Sequence, residues 1–86
     1  MSEYAGDMPW IVTAVEPRKD YSLLESFIDG SKKTYDMCPL LDVGVFRQLK
    51  NLNLFMQAHT NGSSVVWNDD LDIAPEELYE NGVPVE

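Results

Sequence analysis

Trp67 to Tyr79, WNDDLDIAPEELY, sets five carboxylates within thirteen residues with no Lys or Arg among them. Carboxylates this dense can hold a hard cation, share a proton as an acid/base pair, or cover a turn and the start of a helix. Laid on the EF-hand loop from Asn68, positions 1, 3 and 5 are Asn68, Asp70 and Asp72, but position 6 must be Gly and is Ile73, and position 12 must be a bidentate Glu and is Tyr79. Starting at Asp70 puts Pro75 at the glycine position. No metal site is therefore expected. The plainer reading is a polar turn at Asn68 to Asp70, a short strand from Leu71 to Ile73, and a helix opened by Pro75 and closed by Gly82. Glu76 and Glu77 then fall in its first turn, where the helix dipole favours each carboxylate by about 0.3–1 kcal/mol.

The other reactive side chains are sparse. Cys38 and His59 are the lone cysteine and the lone histidine, so an internal disulfide and a Cys/His zinc cluster are both excluded. Cys38 lies in DMCPLL, where Pro39 and two leucines predict a small, buried, inert packing residue. His59 precedes the Asn61-Gly62 turn and reads as a solvent-facing strand end with no oriented partner. Asp69, Asp70 and Asp72 could pair as carboxylates, yet so short a chain leaves little room for a glycosidase-like cleft. The sequence has no Gly-rich phosphate loop, no G-x-S-x-G and no H-E-x-x-H. Neither catalysis nor a cofactor is expected. Trp67 admits two roles: it closes the core with its indole N–H on a carbonyl, or it anchors a partner, since Trp is enriched at interface hot spots.

These residues need a frame. WIVTAVEP is a β-branched run that ends at Pro17, and it reads as a strand. YSLLESFIDGSKKTYDM reads as a hairpin, whose register depends on the loop. A two-residue Asp29-Gly30 loop would oppose Phe27 to Lys32 and Leu23 to Asp36, mixing apolar with charged positions. A three-residue Ile28-Asp29-Gly30 loop, with Gly30 left-handed, opposes Glu25 to Lys33, Leu23 to Tyr35 and Tyr21 to Met37. One face is then Tyr21, Leu23, Phe27, Tyr35 and Met37, with Glu25–Lys33 as a cross-strand ion pair worth about 0.2–1 kcal/mol. Downstream, PLLDVGVFRQLKNLNLFMQA puts Val45, Leu49, Leu52 and Met56 at helical spacing, with Asn51 and Asn53 as caps between two short helices. Val65 to Trp67 reads as a further strand after the Asn61-Gly62 turn.

Eighty-six residues support one core, and the proportions, 44% hydrophobic and 24% charged, are those of a globular chain. The reading is a loose lead-in over residues 1–9, a single α+β domain over 10–82, and a tail over 83–86. The domain is expected to be a small two-layer one, an antiparallel hairpin sheet covered by short helices. The lead-in has neither the basic start nor the apolar run of a signal peptide, so a cytoplasmic protein is expected. Net charge is −9, unevenly placed: all six basic residues lie between positions 18 and 50, and residues 51–86 carry seven acids and none. Such a field repels phosphate backbones and anionic membranes. It leaves a basic protein as the expected partner.

VTAVEP, YSLLESFIDGS, TYDMCPLL, GVFRQLKNLNLF, VVW and LDIAPEELY, in this order and spacing, resemble a small bacterial family catalogued as domain of unknown function 2442. The resemblance implies a compact two-layer α+β fold with no assigned activity. It also implies two contexts: similar proteins that carry an added helix-turn-helix domain, and others encoded beside a second small protein in an arrangement like a toxin-antitoxin pair. This chain ends before a DNA-binding domain could begin, and it has Asp70 where the family pattern tends to Gly. The expected function is a non-catalytic protein-interaction module, antitoxin-like or accessory in a two-protein system, with Trp67, Asp69, Asp70 and Asp72 at the partner contact. Two alternatives remain: a small enzyme or ligand-binding domain using Asp70, Asp72 and His59, and a component of a transcriptional regulator. Unsatisfied strand edges also predict a homodimer, through an edge strand or the Trp67 face.

Overall fold

The computed structural model describes residues 9–68 and 71–85. The first element, β1 (Val12–Pro17), leads into the hairpin of β2 (Ser22–Phe27) and β3 (Lys32–Asp36). The hairpin takes the three-residue loop: Glu25 opposes Lys33 and Leu23 opposes Tyr35, while the Phe27 N–H donates to Ser31 O at 2.9 Å and the Met37 N–H to Tyr21 O at 2.9 Å. Gly30 has φ +90°, the left-handed conformation that only a residue without Cβ adopts cheaply. Asp29 Oδ1 fixes the turn by accepting from the Ser31 N–H and hydroxyl at 2.9 and 2.6 Å.

After β3 the chain covers the core with tight helical turns: a 3₁₀ turn (Cys38–Leu40), a 3₁₀ helix (Gly44–Lys50) and a single α-turn, α1 (Leu52–Phe55). Here the expected helical face is corrected. Val45 and Met56 are exposed, at 57% and 39%, and the inward residues are Phe46, Leu49, Leu52 and Phe55. Those four recur every third position: Phe46 and Leu49 share a side because a 3₁₀ helix closes a turn in three residues, and Leu52 and Phe55 because i and i+3 are neighbours on the single α-turn. Asn51 caps α1 as expected, its side chain accepting from the Asn53 N–H at 3.0 Å.

The remaining elements are β4 (His59–Thr60), β5 (Val65–Asn68), β6 (Leu71–Ile73), α2 (Pro75–Asn81) and β7 (Val83–Pro84). Among the described residues two antiparallel sheets form, ordered β1-β2-β3-β7 and β4-β5-β6. The fold is thus a small α+β domain. Val12 links the sheets: its N–H donates to Ser63 O, and its C=O accepts from the Thr60 hydroxyl, both at 2.9 Å. Between them lie the buried side chains of Leu23, Phe27, Tyr35, Met37, Phe55, Val65, Trp67 and Leu78. Val83 and Pro84, read from the sequence as tail, pair with Thr34 and Lys33 and so give β3 its outer neighbour.

Cys38 is corrected as well. It is exposed, because the 3₁₀ turn that Pro39 enforces lifts it off the core. Its backbone N–H donates to Asp36 Oδ1 at 2.9 Å and its Sγ lies 3.7 Å from Asp20 O.

Candidate functional site

Two neighbourhoods concentrate polar chemistry, and both involve α2. The first is its outer side. Asp72 on β6, with Glu76 and Glu80 one turn apart on α2, is exposed and takes no hydrogen bond or ion pair among the described residues. Acids elsewhere are engaged. Asp20 accepts from Ser22, Asp29 from Ser31 and Tyr79, Asp36 from the Cys38 N–H, and Glu77 from the Tyr35 hydroxyl. Asp42 pairs with Lys50 at 2.6 Å, a surface contact of small value since both side chains are more than half exposed. Among the described residues the exposed, unpaired acids are thus gathered in the β6–α2 unit, apart from Glu16 on β1.

The second neighbourhood lies beneath α2, on the inner face of the hairpin. Glu25 is wholly buried, and neither carboxylate oxygen has a hydrogen-bond partner. Burial pushes its pKa up from the ordinary 4.5 to about 8, against a smaller downward pull from Lys33. Lys33 stands opposite Glu25 in the register, but its ammonium is turned to α2 instead: Nζ donates to Tyr79 O and sits 3.8 Å from the Tyr79 ring centroid. The expected Glu25–Lys33 ion pair is therefore corrected to a register pair whose charge is used elsewhere. Two phenols tie the same layer, Tyr35 to Glu77 Oε2 and Tyr79 to Asp29 Oδ2, both at 2.8 Å. Tyr35 is held above its ordinary pKa by burial and then by Glu77, and Tyr79 by its bond to Asp29, so both hydroxyls keep their protons.

The residues singled out from sequence are scattered across this frame. Trp67 is 2% exposed, and its indole N–H donates to Phe55 O at 3.1 Å. Of its two expected roles the core one is observed, and a buried ring has no face to offer as an anchor. Asp69 and Asp70 lie outside the described residues. Asp72 is exposed. His59 is exposed at a strand end, its Nδ1 2.9 Å from Gln57 O. His59 and Asp72 each oppose Val66, on either side of β5, which sets them two strand spacings apart, about 9–10 Å. That distance is too long for a base and its orienting carboxylate. Hydrogen bonding to Asp36, with the negative charges of Asp36 and Asp20 nearby, pushes the exposed Cys38 thiol above its ordinary pKa and so disfavours the thiolate. Among the described residues no three His, Cys, Asp or Glu side chains converge to hold a metal ion, and no helix is long and apolar enough to cross a membrane.

Sequence reasoning did not find the α2 contacts of Lys33, Tyr35 and Tyr79. Each joins positions more than forty residues apart. The one available signal was the Glu25 and Lys33 pair, the two charges on an otherwise apolar hairpin face.

The family model described as protein of unknown function (DUF2442) matches residues 12–84, from the start of β1 to the end of β7. The chain belongs to that family. The match takes in both the hairpin and the α2–β7 segment that closes over it, so the DUF2442 unit includes the Glu25–Lys33 layer and the acidic face. No curated protein and no solved structure is similar enough to be matched.

Proposed function

We propose that this DUF2442 chain is a non-catalytic protein-interaction domain, the accessory or antitoxin-like half of a two-protein system, and that its β6–α2 face receives a basic protein surface. The observation that carries this reading is the division of the acids. Most of the carboxylates on the hairpin and the helical cover are engaged within the fold, while Asp72, Glu76 and Glu80 are exposed and take no hydrogen bond or ion pair among the described residues. Glu76 and Glu80, four apart on a short helix, repel each other by a few tenths of a kcal/mol, a cost that a cationic partner would relieve. Asp69 and Asp70 adjoin this unit in sequence and extend its negative field. A cytoplasmic setting agrees with the lone free cysteine.

The test is co-purification with the product of the adjacent gene, using the native chain and a variant carrying Asp72→Asn, Glu76→Gln and Glu80→Gln. These exposed substitutions should leave the circular dichroism spectrum intact and lower recovery of the partner at least tenfold. Equal recovery by both chains would defeat the reading.

A further inference from the structure

The neutral, unpartnered Glu25 and the diverted Lys33 stand as neighbours across the β2–β3 ladder, at a separation where cross-strand side chains ordinarily meet. We propose that they form a two-position switch: with Glu25 protonated, Lys33 caps the C-terminal end of α2, and with Glu25 ionised, the Lys33 ammonium moves to the carboxylate and the α2–β7 strap loosens. This inference does not rest on the proposed function.

The closed position is visible. Tyr79 O is among the last carbonyls of α2, which have no partner within the helix, and Lys33 supplies a charged donor there. The same ammonium lies on the Tyr79 ring, a second attraction lost if it leaves. Lys33 also carries the strap mechanically. A Cβ built on Gly82 would come within 3.0 Å of Lys33 Cβ and 2.6 Å of Leu78 O, so the chain leaving α2 runs directly over the lysine stem. Just beyond, the Val85 N–H donates to Lys32 O at 2.9 Å, and Val83 and Pro84 complete β7.

The open position follows from what surrounds Glu25. β1 presents Val15, which has no charge. From β3 come Lys33 and Tyr35, and the Tyr35 hydroxyl is committed to Glu77 on α2. On α2, Tyr79 packs on Phe27 and Lys33, and its hydroxyl is committed to Asp29 in the hairpin turn. Glu77 and Asp29 carry negative charge and cannot stabilise a second anion. Lys33 is the one cation among the described residues whose charge acts on Glu25. A buried carboxylate without a counter-ion is costly, so its ionisation draws the only ammonium within reach. Lysine can serve both positions because its charge rides on a flexible four-carbon stem. The proton thereby selects between two arrangements of one side chain.

Hydrogen exchange read by mass spectrometry at pH 6.5 and pH 9, corrected for the intrinsic rate, tests the switch on the native chain and on Glu25→Gln, which stays neutral. In the native chain, protection over residues 77–85 should fall at least tenfold between the two pH values, while residues 22–27, the β2 strand that pairs with β1 and β3 and not with the strap, hold theirs. In Glu25→Gln both segments should hold. As a second reading, the Lys33 ¹⁵Nζ resonance should shift in step with the Glu25 carboxyl titration. An equal loss of protection in both segments would mean global unfolding and overturn the proposal. So would the same strap loosening in Glu25→Gln, no loosening in the native chain, or a Lys33 resonance that ignores Glu25.

Discussion

Glu25 is a carboxylic acid that the fold keeps protonated, and this fixes the sign of its effect on stability. Below about pH 4.5 both folded and unfolded chains hold the proton and the residue contributes no pH dependence. Between about 4.5 and about 8 the unfolded chain gives it up while the folded chain keeps it, so stability falls as pH rises, by at most ~1.4 kcal/mol per unit. Above about 8 the loss is complete. Urea denaturation between pH 5 and 9 should therefore show the native chain losing a few kcal/mol that Glu25→Gln retains; parallel curves for the two would show that Glu25 is not neutral in the fold. Two other residues give contrasting outcomes. Phe27 is 2% exposed on the core face, and Phe27→Ala should cost ~3–5 kcal/mol, while Ser26→Ala on the opposite face should be nearly silent. Trp67→Ala should act likewise through lost packing and a freed Phe55 carbonyl, lowering the denaturation midpoint whether or not a partner is present.

At the scale of elements, the hairpin was legible because its signals are local. Asp29-Gly30 marks the turn, and alternation of apolar and polar residues over the next few positions decides between two loops, of which one sorts the faces. The helical cover was half legible. Leucines and phenylalanines announced a covering segment, but the same run, GVFRQLKNLNLF, satisfies a period of 3.6 through Val45, Leu49, Leu52 and Met56 and a period of 3 through Phe46, Leu49, Leu52 and Phe55. Packing on Trp67 and Tyr21 chooses the second: the Phe55 ring lies 6.3 Å and 5.0 Å from theirs, and the Phe46 ring lies 6.5 Å from Trp67. The strap was not legible. A two-residue strand ending in Pro84 has no pattern to read, and its contacts with Lys33 come from the other end of the chain. Gly82 is where the strap is most sensitive. Its φ of −72° needs no glycine, but the close approach to Leu78 O and Lys33 does. Gly82→Ala should cost about 1–3 kcal/mol as an overpacked contact. Exchange at the Val85 amide should quicken more than at Met37; unchanged exchange at both would show that the strap yields without loss.

For the whole molecule, charge and edges act together. Among the described strands, β7 offers two residues, one of them a proline with no N–H to donate, and β6 offers three beside the acidic face. The expected homodimer therefore gains little from β7 or β6 and nothing from the buried Trp67, which leaves β1, the six-residue outer strand of its sheet, as the longer edge open to it. Two copies at −9 each repel as well. Sedimentation should show a monomer at tens of micromolar and low salt, and a tight dimer there would place the contact on a surface other than β7, β6 or Trp67. A basic partner meets the same field with the opposite sign. Its association should be faster by roughly 10–1,000-fold at low salt than in screened solution, since the free acids of β6 and α2 lie on one segment with no Lys or Arg to offset them. Screening sets in as the Debye length falls to about 10 Å at 0.1 M salt. Stopped-flow mixing with the co-purified partner should give an association rate that drops steeply with ionic strength, and Asp69→Asn with Asp70→Asn, or Glu76→Gln with Glu80→Gln, should lower and flatten that dependence. Dissociation should change less, because rim charges govern encounter more than residence. A rate that ignores salt and all four substitutions would leave the acidic face as solvated surface and send the search for a contact to the exposed Val43, Val45 and Met56 of the helical cover.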